Sequence, residues 1–350
     1  MSASHIRPVD SPSAWLGGEL AGRRDWIHEL THGEIADLDR AVRSARATGK
    51  DMGELTRDDF PLGALAPAVE AWLDALDAGR GFVLVRGVPV ERYGEADAAL
   101  AYWGLGLHLG SAVSQNAAGD LLGHVRDAGL ERRDPTIRKY RTREPLEFHT
   151  DGSDIVGLLC LRPAKSGGTS RIASSTAIYN EIVRQRPDLA AVLHEPFPFD
   201  RNGEERPGEP PYFLLPLCRL AERRLRTFYI GWYIRDSQRH AAAPRLSRAQ
   251  AEAIDLIDAI AADPRVHLDM DFRSGDIQWL KNAAILHART EFEDHAEPER
   301  KRHLLRLWLT SRRAFVDGDA FLQQGVAPRE GATSDAIAAS AAVPAVATPR

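Results

Sequence analysis

The chain has little cysteine. Two residues among 350, Cys160 and Cys218, each sit inside an apolar run, LLCLRP and LPLCRL. Two such thiols cannot build a disulfide framework, and they suit a reducing, cytoplasmic setting. No stretch approaches 18 consecutive apolar residues, so no membrane-spanning helix is expected. The N-terminal MSASHIRPVDSPS lacks a basic start followed by an apolar stretch, so no signal peptide is expected either. Blocks of five or six like charges are missing, which argues against a nucleic-acid tail or a polybasic membrane anchor. Lysine is scarce, at positions 50, 139, 165, 281 and 301 only, and arginine supplies the rest of the 45 basic residues against 50 acidic ones. Apolar residues make up 43% and charged residues 27%, near the average of a globular protein. A chain this long can bury a core without disulfides or structural metal. The expected partner is a small-molecule substrate, and the composition is compatible with a homo-oligomer.

Along the chain the pattern changes character. Residues 1–13 are polar and read as a flexible N-terminus. Residues from about 14 to 105 look mostly helical. Ile35, Leu38, Ala41 and Val42 fall at helix spacing within 34–46, as do Val69, Trp72, Leu73 and Leu76 within 65–78. GFVLVRG (81–87) reads as a buried strand between glycines, and 95–107 as a further helix. From about 120 the signal is mainly β, with strands expected at 121–125, 146–150, 156–161, 169–174, 226–233, 277–280 and 304–310. Helices are expected at 175–186 and 247–262, the second opened by the capping pattern Ser247-Arg248-Ala249-Gln250. Residues 326–350 hold nine Ala, three Pro and no aromatic residue, and read as a disordered tail. The fold class this predicts is mainly β with flanking helices, a sandwich or barrel core.

One short motif points to zinc. His28-Glu29-Leu30-Thr31-His32 matches H-E-x-x-H, which on one continuous helix holds zinc between two imidazoles. Thr31 and Glu34, however, form a capping box, and a helix that starts at Thr31 cannot carry His28 in the same register. Gly33 weakens a continuous helix further.

A stronger constellation lies later. In FHTD (148–151) the i, i+2 spacing lets His149 and Asp151 aim one way from a strand end. His287, at the edge of the apolar segment 283–286, would complete two histidines and one carboxylate. That is the facial triad of non-haem Fe(II) oxygenases, which leaves coordination positions open. Taken alone, H-x-D is a hydrogen-bonded pair at a strand end, and chance matches are common with 12 His and 50 acidic residues. The wider arrangement raises its weight. SGGTS follows at 166–170, a Gly275-Asp276 turn precedes the distal histidine, and Arg302 and Arg306 follow it on one face of an alternating strand.

FHTD (148–151), SGGTS (166–170), SGDIQWLKNAAILH (274–287) and RHLLRLWL (302–309) together resemble the taurine dioxygenase (TauD/TfdA) family of Fe(II)/2-oxoglutarate-dependent oxygenases, clavaminate-synthase-like proteins included. The likeness runs from about residue 80 to 312. It implies a double-stranded β-helix, a jelly-roll or cupin-like core with iron at one mouth. In that picture 14–325 is a single oxygenase domain, with a helical flank over about 14–105, a core over about 80–312 and a helical insertion over about 247–262. The resemblance makes His149, Asp151 and His287 the iron ligands. Arg302 becomes the partner of the distal carboxylate of 2-oxoglutarate, helped by Ser170 or its neighbour Thr169. Arg306 reaches either the substrate's acid group or 2-oxoglutarate. Fe(II) is the implied cofactor, with 2-oxoglutarate and O2 as co-substrates. The implied reaction converts 2-oxoglutarate to succinate and CO2 while a C–H bond of the substrate is oxidised, most simply to an alcohol.

The substrate pocket is less legible. Candidates are Gln115, Asn116, Arg141, Tyr233 with its neighbours Tyr229, Trp232 and Arg235 in FYIGWYIRD, Trp279 and Arg289. The arginines suggest an acidic or zwitterionic substrate, met in catabolism or in secondary metabolism. Two other readings compete: a jelly-roll protein that binds without catalysis, and the zinc peptidase of the H-E-x-x-H motif.

Overall fold

The computed structural model describes residues 6–129, 139–221, 224–313 and 325–328. Among them, two sheets face each other. The larger has seven strands, ordered Ile27–Glu29, Phe82–Arg86, Ile277–Lys281, Ile155–Arg162, His303–Ser311 and Gly110–Ala112, with Leu122–Val125 also paired to His303–Ser311. The smaller has four, ordered His267–Met270, Ser170–Ser174, Ile285–Arg289 and Leu146–His149. Pairing is antiparallel except between Ile27–Glu29 and Phe82–Arg86. This is the expected jelly-roll core with helices outside.

Strand alternation sorts the side chains into layers. Phe82, Leu84, Val156, Leu280 and Trp308 of the large sheet meet Ile172, Leu268 and Ile285 of the small one in the interior. On the outer face of the large sheet, Trp279, Leu305 and Leu307 pack with Leu38, Trp72 and Tyr102 of the helical flank, His32–Ala47, Ala66–Asp77 and Val90–Leu109. The outer face of the small sheet is covered by Ser175–Gln185 and Arg248–Ala262 through Ile178, Ile182, Ile254 and Ile257. The apolar stripes seen in the sequence are these buried faces, since burying a large aliphatic side chain contributes roughly 1.5–3 kcal/mol.

Three expectations are corrected. Residues 226–233 are not one strand: the strand is Arg224–Thr227, and Gly231–Asp236 is a short helix. Ile230 keeps a single bridge to His149, so the chain turns there to bring Trp232 and Tyr233 to the site. The segment 6–13 is not loose. Val9 is buried, and Asn180 binds both its N–H and its C=O, at 2.7 and 2.9 Å. Residues 326–328, expected to open a disordered tail, pack against the protein. The remainder of both expected flexible ends, 1–5 and 329–350, lies outside the described residues.

Candidate active site

His149 and His287 are direct register partners on adjacent antiparallel strands. Their rings stand 4.2 Å apart, centroid to centroid. Asp151 follows just past the strand end. Its Oδ1 lies 3.8 Å from His149 Nε2 and its Oδ2 lies 3.4 Å from His287 Nε2. Ligand atoms of all three residues fall within 4.8 Å of one another, and all three side chains are buried.

The surroundings orient this set. His149 Nδ1 lies 2.8 Å from the Glu147 carbonyl, so Nδ1–H donates and the Nε2 lone pair faces the centre. Asn282 fixes the Asp151 backbone: its Oδ1 accepts from Asp151 N at 2.8 Å and its Nδ2 donates to the carbonyls of Asp151 and Ser153. Trp308 Nε1 donates to Asp151 Oδ2 at 3.0 Å. Burial, then the neighbouring His287, pushes His149 down to about 3. Burial works against charge on Asp151, but Arg306 and the hydrogen-bonded His287 hold its carboxyl well below the usual range. At neutral pH the set therefore offers a neutral imidazole and a carboxylate, the forms that bind a divalent metal. Two imidazole nitrogens and one carboxylate fit Fe(II) and leave coordination positions for co-substrates.

A second feature is a buried cationic end. Arg302 and Arg289 flank the Phe292 ring, their guanidinium carbons 5.0 and 4.8 Å from its centroid. Both are buried, and among the described residues Arg302 Nη1 and Arg289 Nε have no hydrogen-bond partner. Burial lowers Arg302 to about 10, and burial together with Arg302 lowers Arg289 to about 9. A cation held this way is stabilised by an incoming anion. The glycines of SGGTS explain themselves here. Gly167 and Gly168 have φ of 69° and 70°; a Cβ on Gly168 would lie 3.2 Å from Arg302 Nε, and one on Gly167 only 2.2 Å from the Glu291 carbonyl oxygen. Ser170 points inward, its Oγ accepting from Gln278 Nε2 at 3.1 Å. Thr169 points outward, with Oγ1 donating to Asp271.

A cavity of about 520 Å³ opens onto the triad. His149, Asp151, Arg306 and Trp308 line it, together with Lys139, Phe213, Trp232 and Tyr233. Arg306 is stacked between Tyr140 and Trp308, 4.6 and 4.8 Å from the ring centroids, with Nη1 4.0 Å from Asp151 Oδ2.

Of the six substrate candidates read from the sequence, Tyr233 reaches this cavity. Gln115 stands behind it: Oε1 accepts from Arg306 Nε at 2.7 Å and Nε2 donates to the Arg306 carbonyl at 2.8 Å. Asn116 braces its own loop through Asp120 and Ala118. Arg141 is exposed and outside the lining. Trp279 faces the helical layer, stacked on Tyr102 at 5.2 Å in space left by Gly157. Arg289 belongs to the cationic end and donates to the Thr142 carbonyl at 3.0 Å. Sequence reasoning missed Lys139, whose ammonium lies 4.6 Å above Trp232 and pairs with Glu147. It also missed Asn282 and the Trp308–Asp151 bond, for which a buried polar residue next to a motif is the available signal.

The H-E-x-x-H motif does not form a metal site. His28 lies in the strand Ile27–Glu29, Thr31 caps the helix His32–Ala47 with Glu34, and His28 Nε2 is 3.0 Å from Glu34. A third cluster, Glu95, His124 and His303, brings ligand atoms together elsewhere. There His303 is already committed on both sides, with Nε2 2.8 Å from His124 Nδ1 and Nδ1 3.2 Å from the Arg162 guanidinium.

Comparison with known proteins agrees with this geometry. Residues 44–308 match the taurine catabolism dioxygenase TauD, TfdA family. FR-33289 synthase of Streptomyces rubellomurinus (strain ATCC 31215) is 32% identical over 306 residues, covering 87% of this chain and 90% of that one. The taurine hydroxylase-like protein SAT17 of Stachybotrys chartarum is 31% identical over 312 residues, covering 85% and 79%. Among solved structures, asparagine oxygenase with Fe(II), 3-hydroxyasparagine and succinate superposes with a TM-score of 0.65 at 16% identity, covering 87% of this chain and all of that one. The oxygenase OrfP with Fe and alpha-ketoglutaric acid gives 0.60 at 16% identity, covering 86% and 99%. The chain belongs to the TauD/TfdA family and is an Fe(II)/2-oxoglutarate-dependent oxygenase.

Proposed function

We propose that the enzyme hydroxylates an unactivated C–H bond of a small organic acid or zwitterion seated in the cavity. One O2 and one 2-oxoglutarate are consumed, and succinate and CO2 are released. The observation that carries this reading is Arg306, a buried guanidinium in the cavity wall 4.0 Å from the Asp151 carboxylate. A planar cation there can pair with an acid group and hold the rest of the molecule over the triad. Structural relatives support the substrate size and class: asparagine oxygenase was solved with 3-hydroxyasparagine and OrfP with (3S)-hydroxy-L-Arg.

In this reading His149, Asp151 and His287 hold Fe(II), and Arg302 with Ser170 receives the distal carboxylate of 2-oxoglutarate. Bound iron supplies O2 activation coupled to decarboxylation of 2-oxoglutarate. The chain supplies placement. The Glu147 carbonyl and Asn282 orient the ligands, Gln115 holds Arg306, and Phe228, Ile230 and Trp232 keep water from the reacting carbon. The two buried thiols support a reducing, cytoplasmic setting. Among the described residues, no helix is long and apolar enough to cross a membrane.

The test is spectroscopic and anaerobic. Fe(II) followed by 2-oxoglutarate, added to metal-free protein, is expected to give a weak visible charge-transfer band that needs both additions. Folded, iron-loaded protein with no band and no 2-oxoglutarate binding by calorimetry would overturn the reading. Succinate release is then followed across a panel of amino acids, carboxylates and sulfonates.

A further inference from the structure

The family match stops at residue 308 and the strand carrying Arg306 and Trp308 stops at Ser311. Residues 325–328 nevertheless return to the cavity and line it beside Asp151, Gly152, Arg306 and Trp308. Their backbone is tied at two points. Gly325 N–H donates to the Gly152 carbonyl at 3.1 Å, and Val326 N–H donates to the Ser114 carbonyl at 2.9 Å. Both anchors adjoin functional residues: Gly152 follows Asp151, and Ser114 precedes Gln115, which holds Arg306.

The fit at Gly325 is tight. Its φ is 64°, and a Cβ there would stand 2.1 Å from the Ser114 carbonyl oxygen, so a larger residue cannot sit in this turn without moving the segment. Val326 packs on the interior cluster that contains Trp308. Pro328 lies against Gly119, where an added Cβ would be in ordinary contact at 3.6 Å. Val326, Ala327 and Pro328 bring no side-chain hydrogen bonding, so they offer an apolar face.

We propose that residues 325–328 are a specificity-determining wall of the substrate cavity, an apolar strap supplied from beyond the region matched by the family. It shapes the space for the non-reacting, apolar part of the substrate and shields the iron side from water. The proposal rests on the reading that this cavity binds the substrate. Its physical basis is that a site enclosed on one more side excludes water and discriminates by shape.

The experiment compares full-length protein with a chain ending at 324, a chain ending at 328, and Gly325→Val. Three quantities are read: the Kd of 2-oxoglutarate from the anaerobic Fe(II) band, succinate released with 2-oxoglutarate and O2 but no primary substrate, and acrylamide quenching of tryptophan fluorescence. Trp232 and Trp308 line the cavity, whereas Trp15, Trp26, Trp72, Trp103 and Trp279 are buried away from it. The Kd is expected to stay within about twofold throughout, because Arg302 and Ser170 are untouched. The chain ending at 324 and Gly325→Val should raise substrate-free succinate release about fivefold and increase quenching, while the chain ending at 328 matches full length. Should the chain ending at 324 fail to fold, Gly325→Val still decides the matter. An intact band with unchanged quenching and unchanged succinate release in the strap variants overturns this proposal alone. Loss of the band in full-length protein overturns the functional reading and this proposal with it.

Discussion

The indole N–H of Trp308 donates to Asp151 Oδ2 at 3.0 Å, and the same ring lies 4.8 Å from the Arg306 guanidinium. One residue thus ties the carboxylate of the triad to the cation in the cavity wall. With Oδ2 held by the indole, Oδ1 remains on the side of His149 Nε2. Trp308→Phe keeps an aromatic ring but removes the donor and part of a buried side chain. It is expected to weaken Co(II) or Fe(II) binding about tenfold, as loss of outer hydrogen bonds to metal ligands does, beside the stability loss of a smaller core residue. A titration giving an unchanged metal Kd would remove this role from Trp308.

The ligand set itself is tested by deletion. His149→Ala, Asp151→Ala and His287→Ala are each expected to abolish iron-dependent succinate release, since each takes one of three protein ligands. Near-normal turnover in any one of them would strike that residue from the set.

Arg302 and Arg306 should separate by co-substrate. If Arg302 receives the distal carboxylate as proposed, Arg302→Ala takes away a buried charge-assisted pair worth about 2–5 kcal/mol, so the Kd of 2-oxoglutarate should rise by about 30-fold or more. Arg306→Ala should leave that Kd within a few-fold and raise the substrate KM instead. The opposite pattern would exchange their roles. Because Arg302 is buried and its Nη1 has no partner among the described residues, 2-oxoglutarate with Fe(II) should also raise the Tm of the wild-type protein, by mass action on the native state.

Burial pushes the thiols of Cys160 and Cys218 up to about 12. At pH 8 the reactive thiolate is then only about one part in ten thousand. Neither residue should react with a thiol reagent in native protein at that pH, and both should react in denaturant. Fast labelling of native protein would place one of them at the surface.

Trp279 is core, not cavity. Trp279→Ala should cost about 3–5 kcal/mol in urea unfolding. Trp279→Phe should keep the substrate KM; a large KM change with stability intact would return Trp279 to the substrate site.

Much of the site was legible because its chemistry is carried by short motifs. His149 and Asp151 share a face by i, i+2 spacing, and the loop glycines 167 and 168 adopt positive φ where SGGTS closes over Arg302. Helices 32–47, 66–77 and 248–262 were legible for the same reason: local periodicity and local caps specify them. FYIGWYIRD failed as a strand because its apolar residues serve two surroundings. Tyr229 is buried under the helix Arg248–Ala262, its hydroxyl on Asp258, whereas Trp232 faces the cavity.

By itself, then, the sequence determined the ligand types, the placing of Arg302 and Arg306 on one strand, the layered β core and the family. Those features depend on spacing along a few residues. Tertiary structure decided what depends on meetings between distant segments. It set His149 opposite His287, put Gln115 behind Arg306 instead of in the cavity, turned Trp279 to the helical face, and brought 325–328 against Gly152 and Ser114. Local pattern encodes which face of an element is apolar. It does not encode which remote polar partner a buried side chain will find, because that is chosen by the packing of the whole core.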